Sequence, residues 1–508
     1  MADIPALPSP PSSLPPEGSL SAEEARFDRA RRRLGLWLGP LGFALLLAFP
    51  PESLGPAAAR LAAVVAWVLV WWITEAVPLP VTAVLGPALA VVLGVVSARE
   101  AFAPFGDPII FLFLGSFLLA RAMTAHGLDR RLARAVLALP AASASPARVV
   151  ATFAALAAAL SMWISNSAAA AMLYPIALGV VGSLAPAGER SAPLARAVLL
   201  ACAYGASIGG LATPVGSPPN LVAIGQIETL AGIRVGFVPW VLLAAPIAVA
   251  MLGAALAILA LRLRRQGFHA PGAGPAGPAP GPMSAGERSV TFAFLLTVTF
   301  WVGPGLLALL LGNEHPVAAA LARALPEGVV AVLGAALLFL LPAGGAERRR
   351  ALTWGEATQI DWGTLLLFGG GLSLGGAMFR TGLSEAVGQG LVSATGVSTT
   401  AGLAMVFTVF AIFFTEVTSN TAAATMLVPL AIAAAQAAGA SPLEPALACA
   451  LGCSMAFMLP VATPPNAIVY GSGRIPLPAM VRAGFLLNLA ACLLLPAGVL
   501  LLVPLVFR

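Results

Sequence analysis

The chain has 508 residues, of which 59% are hydrophobic and 9% are charged, and its formal net charge is +6. Soluble domains contain about 25% charged residues, so this composition excludes a water-soluble globular protein. The apolar runs are about twenty residues long and lack period-two alternation, which favours membrane-spanning α-helices over barrel strands. The basic residues are all arginine and cluster between apolar runs. That pattern is typical of loops flanking a membrane and gives no indication of a nucleic-acid partner.

The N-terminal residues 1–33 are rich in proline, serine and charge, and are predicted to form a disordered cytoplasmic tail. Several arginines precede the first apolar run, which predicts a cytoplasmic N-terminus and a location in the cell's inner (plasma) membrane. Residues 34–262 are predicted to form a first membrane repeat, and residues 289–508 a second one. The Gly/Pro-rich residues 263–288 between them are predicted to be a flexible linker.

Specific blocks of sequence occur once in each half, in the same order. The triad Ser165-Asn166-Ser167 matches Ser419-Asn420-Thr421 at an offset of 254 (419 − 165). The segment Gly216-Ser217-Pro218-Pro219-Asn220 matches Ala462-Thr463-Pro464-Pro465-Asn466 at an offset of 246 (462 − 216). Internal repeats of this kind indicate a transporter, and the two copies commonly have inverted topology. The predicted fold is an all-α polytopic membrane protein with two inverted repeats.

The two triads interrupt long apolar runs with residues that disfavour a helix, which is tolerated at membrane depth where the backbone lines a cavity. Ser161 and Ser165, like Thr415 and Ser419, are four residues apart, so each pair is expected on one helix face. With a loop carbonyl, these hydroxyls would supply the oxygen shell that a hard cation such as Na⁺ prefers. Each triad would cap the next half-helix, whose N-terminus attracts anions. One triad alone is better explained by hydrogen bonds that hold packed helices together, but the duplication favours a binding site.

Each half also contains a Pro-Pro-Asn loop between apolar flanks. Two consecutive prolines withhold two donors and forbid a regular helix, so carbonyl oxygens become available. A break of this kind near the membrane midplane is the usual place for a substrate and its coupling ions. Neither the triads nor the loops contain an arginine. The charge of an anionic substrate would therefore be met by helix N-termini, amides, hydroxyls and bound cations.

A proton-coupled carrier would need a titratable residue in its core, and the candidates are Glu75, Glu416, Asp107 and Asp361. For Glu416, a structural hydrogen-bonding role is favoured over a proton relay. The three histidines form no ligand cluster in sequence, and no nucleophile–base pair is visible. An enzyme is therefore not indicated.

These motifs resemble those of the divalent anion/sodium symporter family, which includes sodium–dicarboxylate and citrate transporters. The resemblance rests on Trp71-Trp-Ile-Thr-Glu75-Ala-Val-Pro-Leu-Pro80, the two triads and the two Pro-Pro-Asn loops, and extends from about residue 34 to the end of the chain. It implies a homodimer in which each protomer has a scaffold domain and a transport domain. The transport domain would hold two re-entrant hairpins and two broken helices and would move as an elevator.

The resemblance also implies two Na⁺ sites and one substrate site. The first Na⁺ site would use Ser161, Ser165, Asn166 and the Gly216 carbonyl; the second would use Thr415, Ser419, Asn420 and the Ala462 carbonyl; and the substrate carboxylates would bind Asn166, Ser167, Ser217, Asn420, Thr421 and Thr463. Ser167 departs from the family, which usually has threonine there. The hydroxyl is kept and a methyl group is lost, which affects the exact substrate more than its class.

The expected function is Na⁺-coupled symport of C4-dicarboxylates such as succinate, malate or fumarate. Na⁺ is the coupling ion, and the other partners are membrane lipid and a second copy of the chain. The alternatives are a Na⁺-independent dicarboxylate exchanger and a transporter of sulfate or another inorganic oxyanion. Symport is favoured because no basic side chain replaces either hydroxyl-rich cluster.

Overall fold

The structure is a computed structural model that describes residues 22–139, 145–184, 192–265, 281–312, 315–344 and 349–507. Within these ranges the chain is helical apart from connections and one short antiparallel pair of strands. Among the described residues, eight helices are long and apolar enough to cross a membrane, and the number rises to ten if each of two bent helix pairs is one span. This agrees with the predicted polytopic, all-α architecture.

The first half comprises eleven of the described helices, several of them interrupted or short. They are α1 (Ala22–Ala48), α2 (Pro56–Thr74), α3 (Leu79–Val92), α4 (Ala98–Phe102), α5 (Pro108–Ala125), α6 (Leu128–Leu137), α7 (Pro146–Ser161), α8 (Asn166–Leu184), α9 (Ala192–Gly209), α10 (Pro218–Gln226) and α11 (Phe237–Arg265).

The second half contains the two strands and the remaining described helices. They are α12 (Ala285–Leu311), α13 (Pro316–Ala324), α14 (Glu327–Leu338), β1 (Pro342–Gly344), β2 (Arg349–Arg350), α15 (Trp354–Ala357), α16 (Trp362–Arg380), α17 (Leu383–Thr395), α18 (Thr400–Phe414), α19 (Asn420–Ala437), α20 (Leu443–Gly452), α21 (Pro464–Tyr470) and α22 (Leu477–Val506).

Helices α5 to α11 correspond in order to α16 to α22, and local signals at their ends are repeated. Asp107 caps α5 by accepting from the Ile109 N–H at 2.9 Å, and Asp361 caps α16 by accepting from the Thr364 N–H at 3.1 Å. The two aspartates that sequence reasoning considered as titratable core residues are thus N-cap residues. The second helix of each pair, α6 or α17, follows a glycine with positive φ, a backbone conformation that glycine adopts without a steric penalty.

Helix packing divides the molecule into the two domains that the resemblance implies. In the scaffold domain, α1, α2 and α3 pack in sequence, α3 packs against α16, and α5 packs against α14. In the transport domain, α9 packs against α7, α8 and α11, while α20 packs against α18, α19 and α22. The hairpins are α7–α8 and α18–α19, and the broken helices are α9–α10 and α20–α21. The predicted fold class is confirmed.

The two repeats exchange contacts inside the transport domain. Helix α10, which follows the first proline loop, packs against α19 and α20, and α21, which follows the second loop, packs against α8 and α9. The second part of each broken helix therefore contacts the hairpin of the other repeat. This arrangement brings the two triads and the two loops into one region.

Helices α7 and α9 meet without intervening side chains. A β-carbon added to Gly205 would lie 2.4 Å from the Ala154 carbonyl oxygen, and one added to Gly209 would lie 2.2 Å from the Ala158 carbonyl oxygen. Glycine at these positions permits a backbone approach that any larger residue would prevent. The hairpin and the broken helix of the first repeat are thereby held in direct contact.

Two predicted boundaries differ from the structure. Helix α1 begins at Ala22, so the last part of the predicted disordered tail, residues 22–33, is helical; these residues are mostly alanine, glutamate and arginine, which favour helices. The linker predicted at 263–288 is shorter at both ends, because α11 continues to Arg265 and α12 starts at Ala285 with a Ser284–Glu287 capping box. Residues 1–21 and 266–280 lie outside the described residues.

Candidate functional site

The first triad lies at the tip of the α7–α8 hairpin. Helix α7 ends at Ser161 and α8 begins at Asn166, so the four residues between them form a break. The hydroxyl of Ser161, which is fully buried, donates to Oδ1 of Asn166 at 2.5 Å across this break. Ser165 is exposed, and its Oγ accepts from the Ala168 N–H at 3.2 Å. The predicted cap of the following helix is therefore present in the first repeat.

Gly210 lies next to both the Asn166 side chain and the Gly216 carbonyl. A β-carbon built on Gly210 would lie 2.6 Å from Oδ1 of Asn166 and 3.1 Å from the Gly216 carbonyl oxygen. A single small volume at Gly210 thus borders both oxygens. Three of the four predicted ligands of the first cation site, Ser161, Asn166 and Gly216, are therefore brought together.

The second triad repeats this arrangement at the tip of the α18–α19 hairpin. The Thr415 hydroxyl, fully buried, is 2.7 Å from Oδ1 of Asn420 and 2.9 Å from the Cys453 carbonyl oxygen. A hydroxyl carries one proton and can fully satisfy only one of these two acceptors. The two acceptor oxygens therefore compete for one proton, and the one without it keeps a free lone pair beside the hydroxyl oxygen. The donor set fits a hard cation such as Na⁺.

The expectation that Ser161 and Ser165, and Thr415 and Ser419, share a helix face is wrong. Helix α7 ends at Ser161 and α18 ends at Phe414, so the chain leaves the helix before the second hydroxyl of each pair. Ser419 is the N-cap residue of α19 but makes no side-chain capping hydrogen bond. Side chains meet across each break, five residues apart, instead of along a helical turn.

The asparagine of each proline loop has the same environment in both repeats. The side-chain amide of Asn220 donates to the carbonyls of Gly210 and Thr213, both at 2.8 Å. That of Asn466 donates to the carbonyls of Ala456 and Leu459, at 3.1 and 3.0 Å. Gly210 with Ala456, and Thr213 with Leu459, are equivalent pairs at the loop offset of 246 (456 − 210 and 459 − 213). These amides fold the two loops into the same shape.

The prolines begin the second part of each broken helix. Pro218 and Pro219 occupy the start of α10, and Pro464 and Pro465 the start of α21, where a missing N–H costs nothing. The break itself is the extended or 3₁₀ segment before them. Its residue Thr463 accepts from the Asn466 N–H at 3.4 Å.

Of the predicted substrate residues, Ser217 contacts the other repeat. Ser217 is buried, and its Oγ is 3.4 Å from the Oγ of Ser454 in the other repeat. Ser167 and Thr421 are partly buried in the first turns of α8 and α19. Each triad therefore stands at the N-terminus of a helix, which is the end that attracts anions. The described contacts do not connect Ser165, Ser419 or Ala462 to the other predicted cation ligands.

The remaining acidic candidates have structural partners. Glu75 ends α2 with φ = 48° and is paired with Arg31 at 3.3 Å and Arg32 at 3.6 Å. Arg31 also donates to the Val417 carbonyl at 3.3 Å, so α1 contacts the tip of the second hairpin. Glu416 is buried and accepts four hydrogen bonds. Within the described ranges, His, Cys, Asp and Glu side chains form no cluster that would hold a metal ion.

A cavity of about 350 Å³ lies between scaffold helices α5, α13 and α14 and transport helices α10 and α11. Charged residues such as Glu228, Arg234 and Glu327 line it, and Arg234 pairs with Glu327 at 3.2 Å. None of the predicted site residues lines this cavity. It belongs to the boundary between the domains and not to the candidate site.

Sequence reasoning missed three contributors to the site: the Cys453 carbonyl, Ser454 and Gly210. The carbonyl and Ser454 carry no motif of their own, and only the chain's path brings them to the triads. Gly210 had a detectable signal, because it is one of two consecutive glycines just before the first proline loop. Asn220 and Asn466 were visible as repeated residues, but their inward hydrogen bonds were not predictable.

The chain is similar to known membrane transporters over most of its length. The profile of the sodium:sulfate symporter transmembrane region matches residues 40–506. The sodium-dependent dicarboxylate transporter SdcS of Staphylococcus saprophyticus is 34% identical over 490 residues, covering 93% of this chain and 91% of that protein. SdcS of Staphylococcus aureus strain USA300 is 34% identical over 495 residues, with coverage of 94% and 92%. The fold resembles the crystal structure of the Alcanivorax borkumensis YdaH transporter, with a TM-score of 0.56, 17% identity, and coverage of 92% of this chain and 97% of that one.

Proposed function

We propose a function for this chain that follows from its family: it belongs to the divalent anion/sodium symporters, a family of membrane transporters. The protein would couple Na⁺ entry to the import of C4-dicarboxylates such as succinate, malate or fumarate. Relatives named as sodium-dependent dicarboxylate transporters support the coupling ion and the substrate class.

The observation that carries the proposal is the pair of oxygen clusters at the hairpin tips. In each cluster a buried hydroxyl lies within 2.5 to 2.7 Å of an asparagine carbonyl oxygen. In the second cluster a main-chain carbonyl oxygen also competes for the same proton. Such clusters suit a desolvated monovalent cation. The first cage would comprise Ser161, Ser165, Asn166 and Gly216, and the second Thr415, Ser419, Asn420 and Ala462.

The dicarboxylate would bind between the two cages. Its carboxylates would accept hydrogen bonds from Asn166, Ser167, Ser217, Asn420, Thr421 and Thr463. A dianion in a low-dielectric site is very costly unless it is compensated, and no arginine lies in these motifs to compensate it. Cations in the cages, together with the N-termini of α8 and α19, would supply the positive potential. Coupling follows, because the anion site forms fully only when Na⁺ is present.

Transport would proceed by movement of the transport domain against the scaffold domain, in a homodimer embedded in the inner membrane with its N-terminus in the cytoplasm. The backbone contacts within the transport domain support movement as one unit. The charged boundary around Arg234 and Glu327 would be where the two domains slide past each other.

Purified protein in proteoliposomes tests the function directly. We expect radiolabelled succinate to accumulate when an inward Na⁺ gradient is imposed, and not when choline replaces Na⁺. Unlabelled malate and fumarate should compete, and sulfate should compete far less. Uptake that is indifferent to Na⁺ but driven by internal dicarboxylate would instead identify an exchanger. Strong competition by sulfate with none by succinate would identify an oxyanion transporter.

A further inference from the structure

Glu416 connects three parts of the second repeat through one buried carboxylate. It lies in the break between α18 and α19, next to Thr415. Its Oε1 accepts from the N–H groups of Phe457 at 2.8 Å and Met458 at 2.9 Å, and its Oε2 accepts from the Leu459 N–H at 3.1 Å. The side-chain amide of Asn488 on α22 donates to Oε1 at 2.8 Å. Successive main-chain N–H groups of this kind form an anion-binding concavity.

At the equivalent position of the first repeat, the sequence has no carboxylate. Met162 occupies the position equivalent to Glu416 at the triad offset of 254 (416 − 162). The N–H groups of Leu211 and Ala212 are equivalent to those of Phe457 and Met458. They donate to the carbonyls of Ile208 and Gly209 at the end of α9, at 3.1 and 3.0 Å. A hydroxyl makes the connection instead: Thr213 donates to the Met162 carbonyl at 2.6 Å.

The hydrogen-bonding group that connects loop and hairpin tip is on the loop in the first repeat and on the hairpin tip in the second. Thr213 in the first loop is replaced by Leu459 in the second, which removes the hydroxyl, and Met162 is replaced by Glu416, which adds an acceptor. The middle of the second loop, residues 457–459, is therefore connected to the hairpin tip through Glu416. Without this acceptor, three main-chain N–H groups would lose their partner, and that of Phe457 is fully buried.

The loop that Glu416 holds also shapes the second cation cage. It begins at Cys453, whose carbonyl is 2.9 Å from the Thr415 hydroxyl, and it continues through Leu459 to Ala462. Thr415 contacts the start of this loop while Glu416 binds its middle. Two adjacent residues of the hairpin tip thus fix the distance between the hairpin oxygens and the loop oxygens.

We propose that Glu416 is the positioning residue of the second cation cage and that it sets the Na⁺ affinity of that cage, which makes the two cages unequal. The proposal rests on the proposed Na⁺ coupling. Glu416 does not bind the ion itself: its four hydrogen bonds hold the Cys453 to Ala462 loop at the spacing that a cation requires. The first cage is held by neutral groups and does not depend on this acceptor.

Glu416→Gln tests the proposal, because it keeps the size of the side chain but replaces one acceptor oxygen with a donor. At least one of the N–H groups of residues 457–459 then faces another donor. We expect the half-saturating Na⁺ concentration for uptake to rise about tenfold, while uptake at saturating Na⁺ stays close to that of the wild type. The Na⁺-induced rise in melting temperature should shrink in parallel.

Ser373→Ala is the matched control. Ser373 is buried and donates to the Ala101 carbonyl at 2.7 Å within the scaffold domain, so its removal also deletes a buried hydrogen bond. It should lower the melting temperature without changing the Na⁺ dependence. If Glu416→Gln has the Na⁺ dependence of the wild type, or shifts it no more than Ser373→Ala does, the positioning role is refuted.

Two further measurements keep the outcome decisive. If Glu416→Gln does not fold, Asn488→Ala removes one of the four donors, and a wild-type Na⁺ dependence in that variant refutes the proposal. Amide hydrogen exchange of residues 453–463 in Na⁺-free buffer measures how often the loop opens, independently of transport. The exchange should be faster in Glu416→Gln than in the wild type. If the wild type transports without Na⁺, the proposed function fails, while faster exchange would still show that Glu416 holds the loop.

Discussion

Replacing Gly210 with alanine should specifically impair the first cation cage. The added β-carbon would lie 2.6 Å from Oδ1 of Asn166 and 3.1 Å from the Gly216 carbonyl oxygen. Non-bonded contacts to carbon are comfortable from about 3.5 Å, so the amide oxygen would have to move by about 0.9 Å. That movement would also break its 2.5 Å contact with the Ser161 hydroxyl. The methyl group would occupy the space between two proposed Na⁺ ligands.

The expected loss of Na⁺ affinity follows from the cost of overpacking the space at Gly210. Inserting one methyl group into a filled interior costs about 1–3 kcal/mol. If that cost falls on the ion-bound state, the apparent Na⁺ affinity decreases about 5- to 150-fold. The second repeat carries Ala456 at the equivalent position, so a methyl group is compatible with the loop's fold. The free-energy cost of Gly210→Ala should therefore weaken Na⁺ binding more than it destabilises the fold.

The assay is a Na⁺ titration of succinate uptake in proteoliposomes, paired with a Na⁺ titration of thermal stability in detergent. Gly179→Ala is the control, because Gly179 lies in α8 of the same hairpin and a β-carbon there meets nothing within 4 Å. We expect Gly179→Ala to match the wild type in both titrations. Equal Na⁺ dependence in Gly210→Ala and Gly179→Ala would refute the assignment of the first cage.

Three other outcomes are expected. Asn166→Ala and Asn420→Ala should each abolish Na⁺-driven uptake and still elute as folded protein in size-exclusion chromatography; wild-type rates in either variant would contradict the site. Asn466→Ala leaves one buried and one partly buried loop carbonyl without a donor, so it should destabilise the protein by about 1–3 kcal/mol and lower its melting temperature; an unchanged melting curve would count against the loop geometry. Gly209→Ala places a β-carbon 2.2 Å from a main-chain oxygen and should prevent folded protein from accumulating, as judged by fluorescence-detected chromatography.

The sequence predicted the fold class, and it indicated a candidate site at the repeated triads and loops, because the signals there are strong. Polar triads and proline pairs are rare within long apolar runs, and their recurrence at offsets of 254 and 246 identifies them as equivalent positions. Hydrophobicity alone then predicts the helices around them. The breaks follow from these few positions, whereas the packing of each broken helix against the hairpin of the other repeat is seen only in the structure.

The details of the cages could not be predicted because they depend on where each helix ends. The four-residue spacing of Ser161 and Ser165 suggested a shared face, but α7 ends at Ser161 and the hydroxyl contacts Asn166 across the break. The Cys453 carbonyl is a ligand candidate only because the loop folds back on Thr415. Main-chain oxygens have no signature in the sequence.

The direct backbone contact between α7 and α9 has a mechanical consequence. Side chains form the compliant layer between most helices, since they can change rotamer while the backbone stays in place. At Gly205 and Gly209 that layer is absent, so the two helices cannot shear past each other without a collision of main-chain atoms. We therefore expect α7 of the first hairpin and α9 of the first broken helix to move together as one rigid unit. Any fluctuation that opens the space between them must bend helices, which concentrates flexibility at the breaks.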